Sequence, residues 1–381
     1  MAPPRVLFLA LAAMLLPAAT VVGLQCWEPK EPGSPPQFGA PATRTDPVKP
    51  TILMHNLPPH PRLRVNASHL AAIRLTIQTD PTAKAYFEGL VVYGETLLEA
   101  PSVGCSPGLT SSRSTLSIEY NLGLLWRLTG DERFAARAAQ ELLHVSTNCT
   151  TWFHSGLGLG EMAHAVGIGY DWMYHYLTPA QRHIIVTAAA RMGFNEALVQ
   201  YSQHAFWANC TFNWGIVTNG GLTIGALAFL DEPVAAANAS AVLAKAAVGL
   251  RCPFGSFAPH GAWHEGSMYW EYVSQYGQAT AEALRGVDGT DHGLSSAPGF
   301  NETALFSLHM RGPSQATFDF GDSDGSLYNE GSDPGFLMGY SALPTSSRQL
   351  RSICAYEGRR LARLVAGFTD PSGTIKYNCS G

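Results

Sequence analysis

Residues 258–283 read APHGAWHEGSMYWEYVSQYGQATAEA, and this stretch decides what kind of fold the rest of the chain supports. At 3.6 residues per turn, Glu265, Tyr269, Tyr272 and Tyr276 fall at i, i+4, i+7 and i+11, on one narrow stripe. Trp270, Val273, Gly277, Ala281 and Leu284 form a second, apolar stripe roughly 100° further round. Packing requires only the second stripe. The first carries three phenols and a carboxylate, which are costly to bury without partners. Either these groups find hydrogen bonds at a domain surface, or the helix lines a polar groove that takes a polar substrate.

Outward from this helix, segments with helical periodicity follow one another from about Asn66. They cover 67–78, 82–99, 112–128, 131–146, 158–177, 179–200, 213–230, 233–250, 264–285 and 301–310. Thr178 before Pro179 gives an N-cap and an N1 proline, Ser112 or Ser114 offers a cap for the next-but-two helix upstream, and Gly130-Asp131 ends one helix and starts another. Strand-like alternation is scarce before Thr317. The expectation is an all-α fold, a ring or toroid of antiparallel helix hairpins. A solenoid is the alternative, although no fixed repeat period supports it.

The N-terminus carries Arg5, a short apolar run (VLFLALAAMLLPAA) and small residues at Ala18 and Ala19. This pattern fits a secretory signal peptide over 1–23 better than a membrane span. Asn-x-Ser/Thr sites at Asn66, Asn148, Asn209, Asn238, Asn301 and Asn378 fit the same secreted or lumenal compartment. Seven cysteines (Cys26, Cys105, Cys149, Cys210, Cys252, Cys354 and Cys379) include no CxxC pair. A zinc cluster is therefore not expected; up to three disulfides and one remaining thiol are. A proline-rich extended arm occupies 24–64, either wrapping the domain or hanging free. The charged fraction is 14% and the net charge −5, without a Lys/Arg run, which excludes a nucleic-acid footprint. No stable membrane insertion is expected after signal cleavage, and oligomeric state is not legible.

Two further stretches carry chemistry. In 156–177, GLGLGEMAHAVGIGYDWMYHYL, one face presents Glu161, His164, Ile168, Asp171 and Trp172. Buried acids and a histidine need partners or a function, so this is either an internal network or part of a site. The glycines lack a preceding strand and a lysine, and read as a helix opening rather than a nucleotide loop. In 207–221, WANCTFNWGIVTNGG, Asn213 and Trp214 stand at a loop-to-helix junction, where an amide donor and a flat ring suit a sugar. Capping and core packing are the plainer alternative. Asn219-Gly220-Gly221 permits close approach of another backbone.

The succession GEMAHAVGIGYDWMYHYLT (160–178), FNWGIVTNGGLTIGALA (212–228), HGAWHEGSMYWEY (260–272) and FDFGDSDG (318–325) resembles the heparinase II/III-like superfamily over roughly residues 66–340. That group contains polysaccharide lyases and dermatan-sulfate epimerase-like proteins. The resemblance implies an incomplete α/α toroid over 65–345, normally followed by a β-sandwich. The remaining residues, 346–381, read as a helical tail or the truncated start of a following domain, so the expectation is a toroid without the usual sandwich. It also implies β-elimination on a uronate-containing acidic polysaccharide. Such a reaction removes the C5 proton, neutralises the adjacent carboxylate and protonates the leaving oxygen. Carried over residue by residue, Asn213 neutralises the carboxylate and Tyr269 serves as acid or base. Glu265 orients Tyr269 or binds hydroxyls, and His264 is a second-choice base. Trp214, Trp270, Tyr272, Tyr276, Glu161 and His164 are the expected substrate-binding residues. Gly215, and His260 at the head of the HGAW segment, depart from the usual pattern. No cofactor is expected in this chain, although a metal in a following sandwich domain is compatible with the family. A uronate C5-epimerase, a glycoside hydrolase using Glu265 with Asp322 or Asp324, and a non-catalytic carbohydrate-binding glycoprotein are the alternatives.

Overall fold

The structure, a computed structural model, describes residues 57–105, 108–310 and 317–323. The expected signal peptide, most of the arm, Asn378, Asp324 and the tail lie outside the described residues. The regular elements among the described residues are helical, which makes this an all-α fold.

The helices are α1 (Ala67–Thr79), α2 (Pro81–Leu98), α3 (Leu109–Thr129), α4 (Glu132–Thr147), α5 (Gly156–Met173) and α6 (Pro179–Ala188). A π-helical turn, Ala189–Asn195, joins α6 to α7 (Glu196–Ser202). There follow α8 (Asn213–Ala228), α9 (Ala236–Gly249), α10 (Arg251–Gly255), α11 (Ser267–Asp288) and α12 (Ala304–His309). Local chemistry explains several boundaries. Thr178 and Gln181 form a capping box before Pro179, the Gln181 N–H donating to the threonine hydroxyl. Gly130 closes α3 at φ 76° in the left-handed region, and Asp131 caps α4 by accepting from the Arg133 N–H.

Three expected boundaries move. Neither Ser112 nor Ser114 caps α3, which begins at Leu109 with Gly108 as its N-cap; the Ser112 hydroxyl instead donates to the Gly158 carbonyl. The helix expected over 158–177 ends at Met173. The helix expected from 264 begins at Ser267, because Gly261 and Gly266 adopt φ 81° and 90° and hold 258–266 as a loop. Phe320 and Thr303 backbone atoms lie where Cβ atoms on those glycines would fall.

Every residue of α5 is buried, and α8 is buried everywhere except Trp214. Helices that are mostly apolar and buried on every side belong at the centre of a fold. Glycines let these two touch backbone to backbone: a Cβ on Gly221 would lie 2.2 Å from the Gly160 carbonyl oxygen, and one on Gly167 2.7 Å from the Gly225 Cα. Gly160 against Gly221 and Gly167 against Gly225 climb both helices in the same sense, so α5 and α8 run parallel. The contacts Ser112–Gly158 and Gly123–Trp172 make α3 parallel to α5. Asn213–Glu265 and Gly220–Thr280 make α11 parallel to α8. The succession α3, α5, α8, α11 thus forms an inner layer of parallel neighbours. Helices α4, α6–α7 and α9 return on its outer side and pack on one another in turn.

Residues 57–64, the described part of the arm, pack onto this framework. Asp171, fully buried on α5, accepts from the backbone N–H groups of Arg62 (3.0 Å) and Leu63 (2.9 Å) and pairs with His60 Nδ1 at 2.5 Å. The Trp172 indole donates to the Leu63 carbonyl (3.0 Å), and Arg62 grips both carboxylate oxygens of Asp231. Here the internal-network alternative for the α5 polar face holds: Asp171 and Trp172 fasten the arm. A disulfide joins Cys105 to Cys149, Cys252 is also disulfide-bonded, and Cys210 is a buried thiol whose pKa burial pushes up to about 12.

Candidate functional site

Because α3, α5, α8 and α11 are parallel, their N-terminal turns meet at one end of the inner layer. Each contributes polar groups there: Arg113 from α3, Glu161 from α5, Asn213 from α8, and Tyr269 and Tyr272 from α11, with Glu265 from the loop preceding it. Four helix N-termini favour negative charge at that end, and side chains already use part of it: the Asn213, Gly158 and Met268 N–H groups donate to Glu265, Ser155 and Ser323.

Glu265 is not on the tyrosine stripe, because the helix starts two residues later; this corrects the periodic reading. Its carboxylate instead clasps the start of α8. Oε2 accepts from the Asn213 backbone N–H (2.7 Å) and the Trp263 indole (3.0 Å), and Oε1 accepts from Asn213 Nδ2 (2.6 Å). Burial raises the Glu265 pKa to about 7, against the pull of these hydrogen bonds, and the nearby Asp322 adds to the rise. The carboxylate therefore changes protonation near neutrality. The polar partners that the structure shows for the Glu265 carboxylate are Asn213 and Trp263. Asn213 itself is buried, with no partner for Oδ1 among the described residues. Asp322 is brought alongside through its backbone N–H, which donates to the Glu265 carbonyl (3.1 Å), and 321–322 form a turn at Gly321 (φ 62°). His264 is exposed; partial desolvation lowers its pKa while Asp322 opposes the shift.

The tyrosine stripe is real from Tyr269 onward. Ring centroids lie 6.5 Å apart for Tyr269–Tyr272 and 5.5 Å for Tyr272–Tyr276. Tyr269 is half-buried; Tyr272 and Tyr276 are buried. The Tyr272 hydroxyl donates to Glu161, and Arg113 reaches both Glu161 oxygens at 3.2 Å and the Tyr272 oxygen at 3.2 Å. Burial raises the Glu161 pKa against the opposing Arg113 charge and Tyr272 hydrogen bond. Burial and the Glu161 charge push Tyr272 well up, and burial does the same to Tyr276. Both remain phenols, hydrogen-bond donors rather than bases. The ladder continues through His164, 5.2 Å from the Tyr276 ring, to Tyr120, whose hydroxyl lies 2.6 Å from His164 Nε2. Burial and the Arg64 guanidinium hold His164 well below its ordinary pKa, so the imidazole is neutral.

Trp270 does not face this cluster. It is buried, donates its indole N–H to Thr303 (2.7 Å) and packs on Phe306. That is the packing stripe of α11, so its expected stacking role with substrate is not met by this geometry. Trp214 is half-buried and tilts against Phe206 with 5.0 Å between centroids, Phe206 in turn stacking on Phe212. This partly exposed aromatic group sits beside Asn213.

Sequence reasoning missed Arg113, Trp263, Tyr120 and the Phe206–Phe212 pair. A signal for two of them existed: Arg113 and Tyr120 are seven residues apart on α3, hence on one face. Arg113 acts through Glu161 and Tyr272, 48 and 159 residues away, while Trp263 and Phe206 find their partners locally in loop segments; helical periodicity reveals neither. No family model matches the chain, and no curated protein matches it in sequence.

Proposed function

We propose that the protein is a polysaccharide lyase that cleaves a uronate-containing acidic polymer by β-elimination, on a partial α/α toroid formed by the inner and outer helix layers. The observation that carries the reading is the convergence of four parallel helix N-termini around Arg113, Asn213 and Tyr269. Such an end offers positive potential and amide and phenol donors to a sugar carboxylate.

In this reading the uronate carboxylate lies at the start of α8. The remaining Asn213 amide hydrogen stabilises the charge that develops as the C5 proton leaves. Glu265 holds Asn213 in place, and its raised pKa lets it be neutral when a second carboxylate approaches. Tyr269, the least buried member of the ladder, transfers the proton; His264 is the second candidate for base. Trp214 with Phe206 offers a stacking face for a neighbouring sugar ring. Tyr272, Tyr276, Glu161 and His164 form the wall that fixes the position of Tyr269 and bind substrate at most through their outer edge.

The test is ultraviolet absorbance of unsaturated uronate on alginate, heparan, dermatan and glucuronan, with wild type and Tyr269→Phe. A rise that the substitution abolishes supports the lyase. Solvent deuterium appearing at C5 without absorbance would replace it by an epimerase. New reducing ends without absorbance would replace it by a hydrolase using Glu265 and Asp322. Polymer binding with no turnover would leave a carbohydrate-binding protein.

A further inference from the structure

Away from the helix N-termini, the arm, α5 and the connection between α8 and α9 meet at His60, Asp231 and Glu232. One ligand-type atom from each lies within 4.8 Å of the others. His60 is buried, with only 7% of its surface exposed, and its two ring nitrogens have different surroundings. Nδ1 pairs with the buried Asp171 carboxylate at 2.5 Å. Nε2 has no hydrogen-bond partner among the described residues and points toward Asp231, whose Oδ2 is 3.9 Å away. The ring is held in this orientation by Tyr174, stacked on it at 4.1 Å and 15°.

We propose that His60 Nε2, Asp231 and Glu232 bind a divalent cation of the zinc class, which clasps the arm to the helical layers. A carboxylate on Nδ1 fixes the tautomer whose Nε2 lone pair faces outward; this is the usual support of a zinc-bound histidine. The donor set of one imidazole and two carboxylates matches zinc in type and leaves a fourth position for water. A tetrahedral ion with bonds of about 2.0–2.1 Å spaces its ligand atoms roughly 3.4 Å apart. The His60–Asp231 separation is already near this value, and half-buried Glu232 closes the remainder by a side-chain adjustment.

Other contacts leave the ligands available. Arg62 donates to Asp231 through Nη1 (2.9 Å) and Nη2, and the Tyr170 hydroxyl donates to Glu232 Oε1. Each carboxylate oxygen has a further lone pair, and the second Glu232 oxygen is not used by Tyr170. Among the groups in direct contact, Asp171, Asp231 and Glu232 are acidic and Arg62 is basic. A neutral His60 leaves two negative charges, which a divalent cation balances. Arg182 stands one ring removed, on Tyr174 at 4.3 Å, and does not reach the carboxylates.

The full chain, stripped with chelator, is titrated with Zn²⁺ alone and compared with Glu232→Gln, in which the glutamine oxygen still accepts from Tyr170. The expected result is zinc binding in the wild type that weakens by roughly tenfold or more in the variant. Zinc should also raise the wild-type Tm and slow tryptic cleavage after Arg62 and Arg64, with both effects lost in Glu232→Gln. Equal zinc binding by the two proteins, or none by either, overturns the proposal. So does nitrogen NMR showing the His60 ring doubly protonated in the presence of zinc. None of these readouts depends on the polysaccharide reading.

Discussion

Glu265 and Asn213, 52 residues apart, are joined by two hydrogen bonds from one residue to one carboxylate: backbone N–H to Oε2 at 2.7 Å and Nδ2 to Oε1 at 2.6 Å. This clasp ties the loop before α11 to the first turn of α8. It also makes the stability of the clasp a function of pH.

The Glu265 pKa rises from 4.5 to about 7 on folding. A raised carboxyl pKa means that folding favours the protonated form. The contribution is complete below the unfolded pKa and is lost as pH rises through about 7. A shift of this size corresponds to roughly 3 kcal/mol. Glu265→Gln is expected to flatten the fall in stability between pH 4.5 and 7, read as the difference in Tm between variant and wild type. Glu119 and Glu161 shift in the same direction and contribute equally to both proteins. An unchanged slope in the variant would contradict the assignment.

Gly221→Ala is expected to destabilise by about 3 kcal/mol or more, because its methyl group would fall 2.2 Å from the Gly160 carbonyl oxygen and both partners are backbone. Gly89, in the interior of α2, has nothing within 4 Å of an added Cβ. Gly89→Ala is therefore expected to stabilise by roughly 0.5–1 kcal/mol. Chemical denaturation of the pair measures the contrast; similar effects would mean that α5 and α8 are further apart than described.

Asp171→Asn keeps the shape but removes the charge that the Arg62 and Leu63 N–H groups and His60 share. Hydrogen bonds to a charged group contribute about 1.5–3 kcal/mol each, so the arm should detach well before the helices unfold. Trypsin should cut the variant after Arg62 under conditions where the wild type resists. Equal resistance would show that the arm is held by other contacts.

Glu119 is fully buried beside Glu141, which pairs with Arg137 at 2.7 Å. Burial and the Glu141 charge push the Glu119 pKa well up, against Arg137, so folding favours its neutral acid form. Glu119→Gln should change stability little. Glu141→Gln removes one partner of a buried pair and should cost about 3–5 kcal/mol. Urea unfolding at neutral pH distinguishes the two; equal losses would mean that Glu119 is ionised.

Most helices were legible because their apolar faces repeat at the helical period and their ends carry recognisable caps. Thr178-Pro179 and Gly130-Asp131 mark ends in the structure as they do in the sequence. Glu265 was misplaced because a periodic reading does not see the positive φ at Gly266 that delays the helix. Trp270 has the composition of a sugar-stacking residue, but only the position of Thr303 shows where its indole is used.

The sequence by itself determined the helical class, the largely apolar character of α5 with its polar face of Glu161, His164 and Asp171, and the tyrosine ladder of α11, since all three follow from spacing along one segment. Only the tertiary structure decided that Asn213 belongs to Glu265, Glu161 to Tyr272 and Arg113, and Asp171 to the arm. A buried polar group takes whichever partner packing brings within hydrogen-bond reach, and those partners lie between 48 and 111 residues away for these groups.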